Sequence, residues 1–107
     1  MELLPDTLRA TLPPIGSQAE DPDPTLHVKF FTPDAGWTWY AVEGEPVGDD
    51  FHFFGYVEGI ENEWGTFALS ELQGVRGGLG LPVERDLYFK PCPSSKITKR
   101  SDVADFV

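Results

Sequence analysis

Leu3, Leu4, Leu8 and Leu12 recur at spacings that place them on one helical face, and Pro13–Pro14 ends any helix they form. Gly16 to Pro24 (GSQAEDPDP) is polar, rich in turn formers and without period, so it reads as a loop. The period then changes to two. In LHVKFF (26–31) Leu26, Val28 and Phe30 alternate with His27, Lys29 and Phe31, which predicts a first strand. Pro33, Asp34 and Gly36 make a turn, and WTWYAVE (37–43) is a second strand of aromatic and β-branched residues. A glycine-bearing link, 44–50, leads to a third strand, FHFFGYVEG (51–59). After an acidic turn, WGTFAL (64–69) is the fourth.

Short turns between these strands predict antiparallel pairing as a meander. Ser70 and Gln73 have capping-box spacing, with Ser70 as N-cap of a short helix that Gly77–Gly78 ends. VERDLYFK (83–90) reads equally as short helix or final strand, stopped by Pro91 and Pro93. The expected fold is α+β: one domain over residues 1–93, a twisted antiparallel sheet of four to five strands with short helices packed on it, and a loosely ordered tail over 94–107. Both faces of the second and third strands carry aromatics. Either elements cover both faces, or one aromatic face is left for a partner.

Composition narrows the class. At 107 residues with 40% hydrophobic and 13% aromatic side chains, the chain can bury a core and is too apolar for a disordered acidic tail. Cys92 is the single cysteine, which excludes an internal disulfide and suits a reducing compartment. No apolar run approaches the roughly 20 residues that cross a bilayer, and the N-terminus has no signal-peptide pattern, so a cytoplasmic protein is expected. Between Glu20 and Glu63 there are eleven carboxylates against one base, Lys29, which accounts for the whole formal charge of −10. Such a field attracts cationic partners and repels nucleic acid and anionic membrane.

The bland reading of this window is a solvated rim. The sharper one is a surface that imitates nucleic acid, since duplex DNA carries one charge per ~1.7 Å and ten carboxylates on one side would match about five base pairs. The contact set expected on that reading is Glu43, Glu45, Asp49, Asp50, Glu58, Glu61 and Glu63, converging at one end of the sheet, with exposed Trp37 or Trp39 as apolar anchor.

Other chemistry finds less footing. The acidic spacing does not match a calcium loop, and His27 and His52 lie on strands without HxH, CxxC or HExxH spacing, so no metal or other cofactor is expected. No serine sits in a nucleophile elbow, and nothing local to Cys92 lowers its pKa. Glu84, Arg85 and Asp86 read as a local ion pair with Arg76 rather than an acid–base pair. The glycines of GVRGGLG (74–80) lack a phosphate-loop pattern and read as turn geometry. The KITKR tail could contact a phosphate, although the net charge opposes direct nucleic-acid binding.

HVKFFTPDAGWTWYAVE (27–43), FFGYVEG (53–59) and WGTFALSELQGVRGGLGLPVERDLYFKP (64–91) together resemble a family of small bacterial proteins known only as a domain of unknown function. The resemblance runs from Leu3 to Pro91; Gly78 departs from the family pattern, which has proline there. It implies a mobile-element setting, on plasmids, integrative elements or phages near anti-restriction or DNA-transfer genes, and no catalytic residues. Charge and setting lead to the expectation of a non-enzymatic accessory protein, a monomer or weak homodimer. It would bind and inhibit a basic nucleic-acid-handling host protein, such as a CRISPR or restriction component. The alternative is an interaction module for element maintenance or transfer that docks or self-associates through its aromatic sheet face.

Overall fold

A computed structural model describes residues 1–98. The sheet order is β5-β4-β3-β2-β6, antiparallel throughout, with β2 at Val28–Phe31, β3 at Thr38–Val47, β4 at Asp50–Glu58, β5 at Asn62–Ala68 and β6 at Glu84–Arg85. A separate two-stranded pair joins β1 (Thr25–Leu26) to β7 (Cys92–Pro93). Two short helices, α1 (Asp6–Arg9) and α2 (Leu69–Gly74), and a 3₁₀ turn at Ser94–Lys96 complete the described chain. This is the expected α+β domain with five strands. No helix among the described residues is long and apolar enough to cross a membrane.

Alternation sends the two sets of side chains to opposite faces, and both faces are covered. Phe30, Trp39, Ala41, Phe51, Phe53 and Phe67 build one core with Leu3, Leu4, Leu12 and Leu72. Leu26, Tyr40, Val42 and Tyr56 form a second core, closed by Phe89, Cys92 and Ile97. In the first, Phe53 stacks on Phe67 of the neighbouring β5 at 5.1 Å and meets Phe30 of β2 edge-on at 5.5 Å, centroid to centroid. Such cross-strand pairs are the unit of sheet stabilisation.

Several local expectations change. The N-terminal leucines are buried, but α1 is one turn long because Pro5 starts it, and Leu3, Leu4 and Leu12 reach the core from outside it. β3 does not stop at Glu43. It continues to Val47 through Gly44 and Pro46, which read as a loop in sequence. Proline is tolerated there because β2 pairs β3 only up to Ala41, which leaves the other side of the Glu43–Val47 stretch without a sheet partner. Gly48, at φ +60°, then makes a two-residue turn closed by the Val47–Asp50 pair.

The first expected strand breaks at His27, so that Leu26 pairs Cys92 while Val28 pairs Ala41. Residues 84–85 settle the open reading as strand, pairing Phe31 and Phe30. α2 begins one residue before Ser70, after an Ala68 N-cap. Ala68 donates its N–H to Glu71 Oε1 at 3.2 Å, and Ser70 turns instead to Asp50. Residues 94–98, placed in the tail by sequence, pack on the domain. Ser94 is fully buried, and Ser95 donates N–H and Oγ–H to Asp23 at 2.9 and 2.8 Å. The remainder of the expected tail, 99–107, lies outside the described residues.

The tightest point of the sheet is Gly55, opposite Ala41. A Cβ there would sit 1.7 Å from the Tyr40 carbonyl oxygen, so no side chain fits without separating β3 from β4. Gly55→Ala is expected to cost about 3 kcal/mol in urea unfolding. Gly65→Ala, where nothing lies within 4 Å, should stay within about 0.5 kcal/mol. Equal costs would show that the close approach is not what restricts position 55. The Ser95 amide and hydroxyl, then the Ser94 hydroxyl, hold the Asp23 carboxyl below its ordinary value. A lowered folded pKa means stabilisation that is fully present above the unfolded value of 3.8 and lost as pH falls from there through the lower folded value. Amide exchange at Ser95 should therefore accelerate below pH 3.8 and be fast at all pH values in Asp23→Asn. Unchanged protection in the variant would refute the anchoring role.

Candidate functional site

The seven carboxylates singled out by sequence do not converge. The links before and after β4 lie at its opposite ends, and eight residue steps of strand separate Asp50 from Glu58 by about 27 Å. Glu45, Asp49 and Asp50 sit at one end, and Glu58, Glu61 and Glu63 at the other. Glu43 belongs to neither group. A β-bulge between Ala41 and Glu43 gives β3 one extra residue, and Glu43 faces the same side as Val42, against the 15–24 loop. Its carboxylate is 3% exposed and accepts the N–H groups of Gly16 and Gln18. A buried carboxylate so engaged is unavailable to a partner.

Most of the acidic window has similar work. Asp21 accepts the Asp23 N–H, Asp23 the Ser95 N–H, and Glu45 the Ile15 N–H at 2.9 Å. Asp34 Oδ2 accepts from Leu79 and Leu81 at 2.7 and 3.2 Å and ties the β2–β3 turn to the glycine-rich loop. A Cβ at Gly77 would lie 1.6 Å from Asp34 Oδ1, so any side chain there would displace this carboxylate. Asp50 accepts the Ser70 hydroxyl at 2.6 Å and the Phe51 and Ser70 N–H groups, an arrangement that holds its pKa below the ordinary value. Loops cannot satisfy their own amides as ladders do, and here carboxylates take that place. Sequence reading missed this use of acidity, because the recipients lie up to 72 residues away.

The β4–β5 end keeps two carboxylates toward solvent. Glu61 and Glu63 are exposed. Glu58 is half-buried beside Tyr40, whose phenol is held well above its ordinary pKa by burial and by the Glu58 charge. Trp37 joins them. Its ring rests on Gly59, where a Cβ would approach to 2.3 Å, and stacks on Trp39 at 6.1 Å and 22°. Trp37 is 39% exposed and Ile60 93%. Trp39, the other expected anchor, is 7% exposed within the first core, because alternation from Trp37 and its pairing with Val57 place it under the sheet's cover. The end therefore presents an indole and an isoleucine together with two exposed carboxylates, Glu61 and Glu63, while Glu58 lies on the other face of the sheet. No Lys or Arg occurs anywhere from residue 30 to 75.

The other candidates hold structural positions. Asp86 pairs with Lys29 at 3.6 Å rather than with Arg76, whose Nη1 donates to the carbonyls of Gln73 and Val75. Glu84 and Arg85 form β6. His27 is half-buried, and burial lowers its pKa; His52 lies 3.9 Å from Asp50. The β1–β7 register brings Cys92 beside Leu26, next to His27, yet among the described residues no three His, Cys, Asp or Glu side chains come together as a metal would need.

A family model described as protein of unknown function (DUF2958) matches residues 3–105. The chain belongs to this family. The match extends the likeness past Pro91, where the motif-level resemblance ended, and so includes the docked 92–98 segment. No curated protein matches the chain, and no solved structure does.

Glu43→Gln keeps the shape and removes the charge from its bonds to Gly16 and Gln18, so it should lower unfolding stability by about 2 kcal/mol. Asp49→Asn, at an exposed position without such bonds, should change it by no more than about 0.5 kcal/mol. Comparable values for the two would deny Glu43 its internal role.

Proposed function

We propose that this protein is a non-enzymatic interaction protein that holds a basic partner on its β4–β5 end. The observation that carries the reading is the presence, at one end of the sheet, of exposed Trp37, whose ring rests on Gly59, and of exposed Ile60, Glu61 and Glu63, with Glu58 on the opposite face of the same end. An aromatic held rigid before binding loses little entropy on contact, and aromatic anchors supply much of the energy of protein interfaces. The carboxylates around it steer and select a cationic surface. The mobile-element setting that the family resemblance implies favours a basic nucleic-acid-handling host protein, such as a restriction or CRISPR component, with inhibition following from occupation of its basic groove.

Imitation of a duplex along its length is less well supported than this two-part contact. Over about 27 Å, duplex DNA carries roughly 16 charges. The two ends of β4 offer six carboxylates between them, and Glu45, Asp50 and Glu58 are already partnered. Docking through an open aromatic sheet face also loses support, since both faces bear packed cores.

The test is capture of partners from nuclease-treated bacterial lysate by the tagged protein, eluted in a salt gradient. A basic protein is expected to leave at low to middle salt. The triple reversal Glu58→Lys, Glu61→Lys, Glu63→Lys should abolish its capture, Trp37→Ala should weaken it about tenfold or more, and Asp49→Lys should retain most of it. Circular dichroism checks the fold of each variant. Retention through high salt, or capture indifferent to the triple reversal, would overturn the proposal.

A further inference from the structure

Two basic side chains of this acidic molecule, Arg9 and Arg76, line a groove. The N-terminal segment, α2 and residues 82–84 line this open groove of about 670 Å³. This is within the range of small-molecule sites, about 300–1,000 Å³. Leu3, Leu4, Leu72 and Val83 give it an apolar floor, each no more than 6% exposed. Arg9 and Arg76 line it above that floor.

Both guanidinium groups are oriented by the fold. Arg9 lies over the Phe51 ring at 4.9 Å, and Arg76 Nη1 is fixed by the carbonyls of Gln73 and Val75 at 2.9 and 2.8 Å. Among the described residues, neither has a carboxylate within ion-pairing distance. Glu2 and Glu84 share the lining without pairing to either arginine, so the groove holds opposite charges apart over an apolar base. A guanidinium recognises a carboxylate through paired N–H donors, whereas a carboxylate beside it only opposes an anion.

We propose that this groove is a binding site for a small amphipathic carboxylate. Its head group pairs with Arg9 and Arg76, and its hydrocarbon body lies on the leucine and valine floor. Glu84 then acts against affinity and limits binding to ligands whose head reaches the arginines. The site is separate from the β4–β5 end and does not depend on the function proposed for it.

Decanoate serves as probe, and decyltrimethylammonium, with the same chain and opposite charge, as comparator. Both are titrated below micelle formation, by calorimetry and by amide chemical shifts of α2. Decanoate should bind saturably and the cation at least tenfold more weakly. Arg9→Met, which keeps the stem on Phe51, should weaken decanoate about tenfold. Glu84→Gln should tighten it about threefold, and Gln73→Trp, at an exposed position on the rim, should block it. The β4–β5 triple reversal should leave decanoate affinity within about threefold, given screening over ~8 Å at physiological salt. Equal affinity for the two amphiphiles, no saturable binding, or insensitivity to both Arg9→Met and Glu84→Gln in folded variants would overturn the proposal.

Discussion

The close approach of β3 and β4 at Ala41 and Gly55, and the bulge that follows it, is the constraint on which the rest of the molecule depends. β3 pairs with β2 along its first half and with β4 along its whole length. Gly55 lets the two backbones meet where a side chain would strike the Tyr40 carbonyl. One residue later the bulge at Val42 resets the alternation. Before it, Trp39 and Ala41 face the first core and Tyr40 and Val42 the second; after it, Glu43 stays on the second side while Gly44 packs close to Phe51 and Leu12. A one-residue shift in pairing moves every later side chain to the other face. Without the bulge Glu43 would point into an aromatic core.

That geometry changes the meaning of the chain's acidity. Six carboxylates of the Glu20–Glu63 window, Asp21, Asp23, Asp34, Glu43, Glu45 and Asp50, accept backbone N–H groups. The domain has long connections over residues 10–24 and 75–83, whose amides need acceptors that no ladder supplies. A charge-assisted bond to an amide is stronger than a neutral one, and a carboxylate can take several. Much of the formal charge is therefore a stapling device for loops. The carboxylates that remain for a partner sit mainly where β4 turns into β5.

The four-stranded meander was legible because strands β2 to β5 alternate cleanly and are joined by short turns, so each pairs with its sequence neighbour. The missed features share one cause, a partner remote in sequence. β1 finds β7 across 66 residues, from Leu26 to Cys92. Ser70 looked like an N-cap by local spacing, but Asp50, 20 residues back, offers it an acceptor. The Glu43–Val47 stretch looked like a loop because Gly44 and Pro46 weaken an isolated strand, and the proline is acceptable because no strand pairs with the outer side there, where Gly44 donates its N–H to the Pro13 carbonyl instead. Trp37 and Trp39 were indistinguishable in sequence. They lie on the same face, and burial of the second follows from its place in the first core.

The sequence by itself determined the α+β class, the central antiparallel strands, membership of a family and the sign of the molecular charge. These rest on periodicity, turn chemistry, motif order and counting, all of which are local or additive. Only the tertiary structure decided which carboxylates are consumed by amides, that the two acidic groups lie at opposite ends of one strand, and which tryptophan meets solvent. Those are properties of relative position. They follow from a bulge and a set of long-range hydrogen bonds, whose partners cannot be identified until the chain is folded.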